Sequence, residues 1–268
     1  MLAFPGEGGL TRERVRWLAG RSVLLAFELL VFFAFFGLYF LGRGMVVDRP
    51  RVATDNALWI IDVQQTLGIF VEPSWHEWAM DRDWFIDVAN FTYNYLHMPF
   101  LLLCGALFFF VDLRKYRVLR NSLLLSGFLA IPVYWLFPVT PPRLLHLHTD
   151  EQAFVDTVGE ERRAIAEFLV NDYAAVPSYH FGWILLLVIG AWWFARSPWV
   201  RALAVAFIAW MSVTIVVTAN HYFLDMVAGG VLVLVAFLLA YRWERWVEER
   251  PGWGQRWLFR RGDYRQPV

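Results

Sequence analysis

The sequence predicts an all-α, polytopic membrane protein with six transmembrane helices and interfacial helices in its outer loops. Three observations predict it. Of the 268 residues 59% are hydrophobic, where a soluble domain sits near half, and the mean hydropathy is +0.45. The excess falls in blocks of about 20 residues, the length a helix needs to cross a bilayer core. Basic residues gather in alternate gaps between those blocks, as they do on the cytoplasmic side of helical membrane proteins. The formal net charge is zero, so nothing draws the chain toward nucleic acid, and no such partner is expected. The single cysteine, Cys104, lies inside an apolar block, which excludes an intrachain disulfide.

Residues 1–22 read as a cytoplasmic N-terminal segment carrying Arg12, Arg14, Arg16 and Arg21. The first span covers residues 23–41. It is too long for the apolar core of a signal peptide and no small-residue cleavage pattern follows, so it reads as a retained helix. In residues 53–80, Asp55, Asp62, Gln64 and Gln65 interrupt Leu58, Ile60, Ile61, Leu67, Ile69 and Phe70. That pattern suits one or two helices at the membrane surface better than a span. Trp59, Trp75, Trp78 and Trp84 fit an interfacial aromatic belt there, or ordinary packing.

Further spans are expected at residues 84–111, 118–138, 181–195, 200–218 and 222–241. The fourth span of the six is short, with room to begin a few residues earlier. A polar loop, 139–179, separates the third span from the fourth; Phe154, Val155, Val158, Ile165, Phe168 and Leu169 mark a weakly amphipathic helix in it. No repeat or linker divides residues 23–241, which form one six-helix membrane domain; residues 242–268 are a basic cytoplasmic tail.

Arginines set the orientation. Arg114, Lys115, Arg117 and Arg120 lie between the second and third spans, Arg196 and Arg201 between the fourth and fifth, and seven arginines from Arg242 to Arg265 follow the sixth. The rule that positive loops stay inside puts both termini in the cytoplasm of a multi-pass cell-membrane protein. Segments 43–83, 139–179 and 218–221 then share the outer face.

Three clusters that bear chemistry fall on that face, each at a helix end: Phe137 to Arg143, Val176 to His180, and Asn220 to Asp225. His221 and Asp225 are four apart, on one helix face. A carboxylate there accepts from one ring nitrogen and leaves the other more nucleophilic. His180 opens a helix, where backbone N–H groups and the dipole favour an anion such as phosphate. Arg143 offers a planar fork for two phosphate oxygens. Together these are the parts of phosphoryl transfer through a histidine: nucleophile, orienting acid, proton donor and cationic clamp. Each has a plainer reading: a satisfied polar residue at a helix end, a snorkelling arginine, or part of a zinc site. No HExxH pattern or cysteine ligand supports zinc, and no metal or cofactor is expected.

These residues resemble the type 2 phosphatidic acid phosphatase (PAP2) superfamily, which uses a Pro-Ser-x-His motif and a later His-x-x-x-Asp motif. Pro177-Ser178-Tyr179-His180 and His221-Tyr222-Phe223-Leu224-Asp225 match in order, and the resemblance runs from about residue 53 to 240. Phe137 to Pro142, the run from His221 to Gly229, and Leu67 to Pro73 look closest to the inositolphosphotransferase branch, which includes fungal inositol phosphorylceramide synthase. The resemblance implies that His221 attacks phosphorus to form a phosphohistidine and that Asp225 orients it. His180 would protonate the leaving oxygen and then activate an acceptor, water or an alcohol, without metal. The chain departs from the wider pattern at three places: Leu136 stands where that superfamily has Lys, Leu144 follows Arg143 in place of Pro, and Thr214-Ile215 replaces Ser-Arg. Two customary phosphate cations are thus missing, which favours the transferase-like branch. Tyr179, Asn220 and the backbone at 178–180 are the candidate replacement donors.

Asn90, Tyr93, Asn94 and His97 recur at helical spacing as a polar stripe inside the second span. Polar groups at membrane depth face a wet cavity or a neighbouring helix. The stripe therefore either lines the substrate site, with Asn94, His97 and Tyr93 as binding residues, or glues helices together. His76, His146 and His148 read as solvated or interfacial. The expected partners are the bilayer, a lipid phosphate and its acceptor. The alternatives are a plain lipid phosphatase of that superfamily acting on phosphatidate or a prenyl phosphate, a lipid transporter or scramblase that uses the stripe as its path, and a non-catalytic scaffold.

Overall fold

A computed structural model describes residues 12–45, 49–149, 153–157 and 171–250. Helices make up the described chain, with no strand among the described residues beyond one isolated bridge between Val139 and Ala174. The order is α1 (Arg12–Gly44), α2 (Pro50–Thr66), α3 (Glu72–Met80), α4 (Asp83–Phe91), a π-helical turn (Thr92–Leu96), α5 (His97–Val111), α6 (Leu113–Leu136), a 3-10 turn (Pro142–Leu147), α7 (Tyr179–Phe194), α8 (Pro198–Val217) and α9 (Phe223–Glu249).

Among the described residues, five helical stretches are long and apolar enough to cross a membrane: Ser22–Gly44, Asp83–Val111, Leu113–Leu136, Pro198–Val217 and Phe223–Glu249. α7 is equally apolar but has only 16 residues, about 24 Å of helix against a core of about 30 Å. It starts at Tyr179, within the room left before residue 181, and Pro177 keeps it from reaching back to Val176, because proline disfavours helix in the residue before it. The fold is that of a polytopic all-helical membrane protein.

The chain forms two compact units, residues 39–244, and residues 1–38 with 245–268. In the smaller unit, the rings of Phe32 and Phe36 pack 4.4 Å apart along one helix, and exposed Arg245 and Glu249 pair at 3.3 Å. The larger unit holds every sequence-predicted site residue.

Two boundaries differ from expectation. Asp112 alone joins α5 to α6. Its carboxylate accepts from the Arg114 and Lys115 backbone N–H groups at 3.0 and 3.2 Å, an N-cap that starts the third span at Leu113 and draws the basic cluster into its first turns. At the other end of the chain, α9 runs past residue 241 to Glu249. Glu244 is buried there, ion-paired with Arg117 at 3.1 Å and accepting from Asn121.

α2 and α3 form as two helices. Ala53, Ala57, Ile60 and Gln64 of α2 and Glu72, His76 and Ala79 of α3 are buried, while Trp59, Trp75, Trp78 and Trp84 stay exposed. The amphipathic helix expected around Phe154 to Leu169 falls largely on residues outside those described.

Candidate functional site

The site is assembled where α6 ends, α7 and α9 begin, and α8 ends. Backbone hydrogen bonds lock these stretches together: Val139 N–H to Tyr173 O at 2.7 Å, Arg143 N–H to Ala219 O at 2.9 Å, and Ser178 N–H to Asp225 O at 3.0 Å. A core of Ala57, Ile60, Val139, Leu145, Phe154, Val176 and Tyr222 underlies them. Such an arrangement satisfies the backbone of three irregular segments that would otherwise carry unpaired buried groups. The link from α8 to α9 turns through Ala219 in the left-handed region, φ 53°. Asn220 and His221 both return their N–H to Ile215 O at 3.1 Å, so this short link is rigid.

His221 and Asp225 meet as their spacing predicts. His221 Nδ1 lies 3.2 Å from Asp225 Oδ2, both residues buried. Because a carboxylate only accepts, Nδ1 carries the proton and the Nε2 lone pair is left available. The same Oδ2 accepts from the Tyr222 backbone N–H at 2.9 Å, while Oδ1 is buried without a partner. The half-buried ring of His180 faces His221, with centroids 5.9 Å apart. The two rings are tilted 52° to one another.

The polar stripe splits by register. Tyr93 stacks on His180 at 4.0 Å and 22°, and His97 lies 4.7 Å from the same ring. Asn94 is half-buried. The π-helical turn sits here, a local widening that recurs at functional sites. Asn90 instead exchanges hydrogen bonds with Thr157, in the stretch between α6 and α7, at 3.1 and 3.3 Å. Buried His97 Nε2 has no partner.

Arg143 reaches the site but not as an isolated fork. Its Nη1 donates to Asp156 at 3.1 Å, its Nη2 lies 3.6 Å from Asp172, and its Nε donates to Asn220 Oδ1 at 3.2 Å. Asn220 in turn donates to the Thr218 carbonyl and hydroxyl. It serves as the seat of Arg143 and not as an independent donor. Tyr179 also departs from expectation. Its hydroxyl donates to the Ser126 carbonyl in α6, and its ring stacks on Trp183 at 4.7 Å. Position N1 of α7 turns that side chain toward the helix bundle and away from the two histidines.

His76 is a correction. It is fully buried rather than solvated: Nδ1–H donates to Val217 O at 2.7 Å and Nε2 accepts the Val155 N–H at 3.0 Å. Burial holds its imidazole below the ordinary value, hence neutral. Sequence placed it on a surface helix, and only tertiary contact shows both nitrogens engaged. His146 and His148 are exposed, as expected.

Sequence reasoning also missed a set of supporting residues. Gln64 donates to Glu72 Oε1 at 2.6 Å; Glu72 Oε1 accepts the Phe223 N–H at 2.7 Å, and Gln64 Oε1 the Leu224 N–H at 2.9 Å. Ser178 is wholly buried and its Oγ has no partner. Gly229 lets α9 touch the Ser178 backbone: a Cβ there would lie 2.2 Å from Ser178 O. No sequence signal marked the first set, because the burial of Gln64 and Glu72 is a tertiary property. Among the described residues, no group of three or more His, Cys, Asp or Glu side chains could hold a metal ion.

The family model described as PAP2 superfamily matches residues 58–239, a stretch that includes all of these site residues. No curated protein and no solved structure matches the chain.

Proposed function

The chain belongs to the PAP2 superfamily, whose membership points to phosphatase or phosphotransferase chemistry, and from that premise we propose that it is a membrane-embedded, inositolphosphotransferase-like enzyme acting on a lipid phosphate or phosphodiester through a phosphohistidine on His221. The observation that carries this reading is the buried His221–Asp225 pair beside His180, with the two imidazole centroids 5.9 Å apart.

The residues divide the work as follows. His221 Nε2 attacks phosphorus while Asp225 holds the proton on Nδ1 and balances the positive charge that develops on the ring. As the P–O bond breaks, protonated His180 gives its proton to the leaving oxygen. His180, now neutral, takes the proton of water or an alcohol, whose oxygen attacks phosphorus and breaks the P–N bond. Tyr93 and His97 hold the His180 ring in register. Arg143, seated by Asn220, contacts the non-reacting phosphate oxygens.

The local charge balance supports a diester over a monoester. Arg143 shares its charge with Asp156 and Asp172, and positions 136 and 215 carry Leu and Ile. A monoanion suits such a site better than a dianion. With the Arg-rich segments inside, this site faces outward and both termini are cytoplasmic.

The test is purified protein with a panel of lipid phosphomonoesters and phosphodiesters, with and without polyol or lipid alcohols, and with EDTA. Turnover without metal and its loss in His180→Ala and His221→Ala are expected. Activity abolished by EDTA and restored by zinc would overturn the metal-free route. Lipid transport that survives His221→Ala, without turnover in the wild type, would favour a transporter.

A further inference from the structure

The first turn of any helix leaves backbone N–H groups without partners inside the helix. At α9 each of these groups in turn can be traced. Tyr222 N–H goes to Asp225 Oδ2 at 2.9 Å, Phe223 N–H to Glu72 Oε1 at 2.7 Å, Leu224 N–H to Gln64 Oε1 at 2.9 Å, and Asp225 N–H to Tyr222 O at 3.1 Å. Two of the four acceptors come from a different part of the chain, about 150 residues earlier in sequence. Glu72 and Gln64 are 0% exposed and bonded to each other at 2.6 Å, which fixes the rotamers of both. They form an N-cap supplied in trans by α2 and α3, built on the turn from which His221 and Asp225 project.

We infer that Glu72 and Gln64 are positioning residues for the proposed nucleophile, acting through the α9 N-terminus on the His221–Asp225 pair. The inference rests on the phosphohistidine reading above. Its physical content is a division of labour at Asp225. Oδ2 holds both the Tyr222 N–H and His221 Nδ1. If the Phe223 and Leu224 amides lost their acceptors, the turn would fray and Oδ2 would have to serve amides that Glu72 and Gln64 now satisfy. His221 would lose its fixed orientation without losing any contact to substrate. On this account α2 and α3 are the support of α9, not only surface helices.

The test uses the full-length protein in detergent. Glu72→Ala, Glu72→Gln and Gln64→Ala are compared by turnover of bis(4-nitrophenyl) phosphate and by hydrogen exchange of the 221–226 amides. Glu72→Gln keeps an oxygen at the acceptor position but buries its NH2 where Oε2 now has no partner, so near-normal turnover and Phe223 exchange are expected together with a lower thermal midpoint. Glu72→Ala is expected to lose roughly 10- to 100-fold in kcat with KM little changed, and to exchange the Phe223 and Leu224 amides at least about tenfold faster. Gln64→Ala, which spares the Phe223 acceptor, should show the same pattern more weakly and serves if Glu72→Ala does not fold. Unchanged exchange, a KM effect in place of a kcat effect, or an equal kcat loss in Glu72→Gln would overturn the inference. The exchange measurement does not need activity. A fully active His221→Ala would therefore sink the phosphohistidine reading while leaving the cap itself measured.

Discussion

Asp225→Asn separates the charge of Asp225 from its geometry. Asp225 Oδ2 makes both hydrogen bonds of this side chain, and Oδ1 makes none. An asparagine can therefore place its carbonyl oxygen on Tyr222 N–H and His221 Nδ1–H, with its NH2 where Oδ1 now sits. What disappears is the negative charge opposite an imidazole that, on the proposed route, turns cationic when Nε2 bonds to phosphorus. A hydrogen bond to a charged group is worth about 1.5–3 kcal/mol. The neutral bond that Asn retains is worth about 0.5–1.5 kcal/mol, so at about 1.4 kcal/mol per decade the charge alone accounts for roughly 5- to 12-fold in the rate of phosphohistidine formation. An Asn that turned its NH2 toward Nδ1 would force the wrong tautomer, and losses near ~10⁴-fold are known for that fault in a carboxylate–histidine pair. The new NH2 is buried without an acceptor, at about 1–3 kcal/mol of stability, so the thermal midpoint should fall as well. The assay is rapid-quench measurement of acid-labile phosphoenzyme, alongside steady-state kcat. Wild-type rates of phosphoenzyme formation in a folded Asp225→Asn protein would refute the electrostatic role.

Three other substitutions follow from the same geometry. Gly229→Ala puts a Cβ 2.2 Å from the Ser178 carbonyl; α7 and α9 must part, with about 1–3 kcal/mol of overpacking, a lower thermal midpoint and loss of turnover, and unaltered stability would contradict the close approach. Tyr179→Phe should keep turnover within about threefold and lose about 1 kcal/mol of stability, because its hydroxyl serves Ser126; a collapse in kcat with normal stability would restore Tyr179 as a site donor. His76 gives a pH dependence: its folded-state pKa is depressed by burial, so the unfolded chain takes up the proton first and stability falls as pH drops below the ordinary value of about 6.5. His76→Gln, measured by thermal unfolding across pH 7.5 to 5, should flatten that part of the profile, and an unchanged slope would assign it to another group.

The span pattern was legible because bilayer length and apolar blocks are properties of consecutive residues. The His221–Asp225 pair was legible for the same reason: four residues along one helix face are neighbours whatever the rest of the chain does. What could not be read were contacts between distant segments. Nothing in the order of residues says that Gln64 and Glu72 meet the amides of Phe223 and Leu224, or that His76 lies between Val155 and Val217. Tyr179 is a different case: it neighbours His180 in sequence, but adjacent residues on a helix point about 100° apart, and its hydroxyl donates to the Ser126 carbonyl in α6. Gly229 was visible as part of a family-like run, yet its reason, the Ser178 backbone against α9, belongs to the packing.

The carboxylates around Arg143 bear on the substrate, and one of them offers a way to test the charge argument. Asp156 accepts from Arg143 at 3.1 Å and is mostly shielded, whereas Asp172 lies at 3.6 Å and is about half exposed. Asp172 is the better target, since its loss leaves Arg143 seated on Asn220 and Asp156. Removing one negative charge near the phosphate position should help a dianion more than a monoanion, because the repulsion removed scales with the substrate's charge. Solvent screens so exposed a group, which limits the effect to a few-fold. The expectation is that Asp172→Asn raises kcat/KM for a lipid phosphomonoester about two- to fivefold relative to a phosphodiester, with the difference shrinking as salt rises. The measurement is the ratio of the two kcat/KM values at low and high ionic strength. A ratio that did not move, or that moved toward the diester, would mean that Arg143 and its carboxylates lie outside the field of the substrate phosphate, and the preference for diesters would lose its physical support.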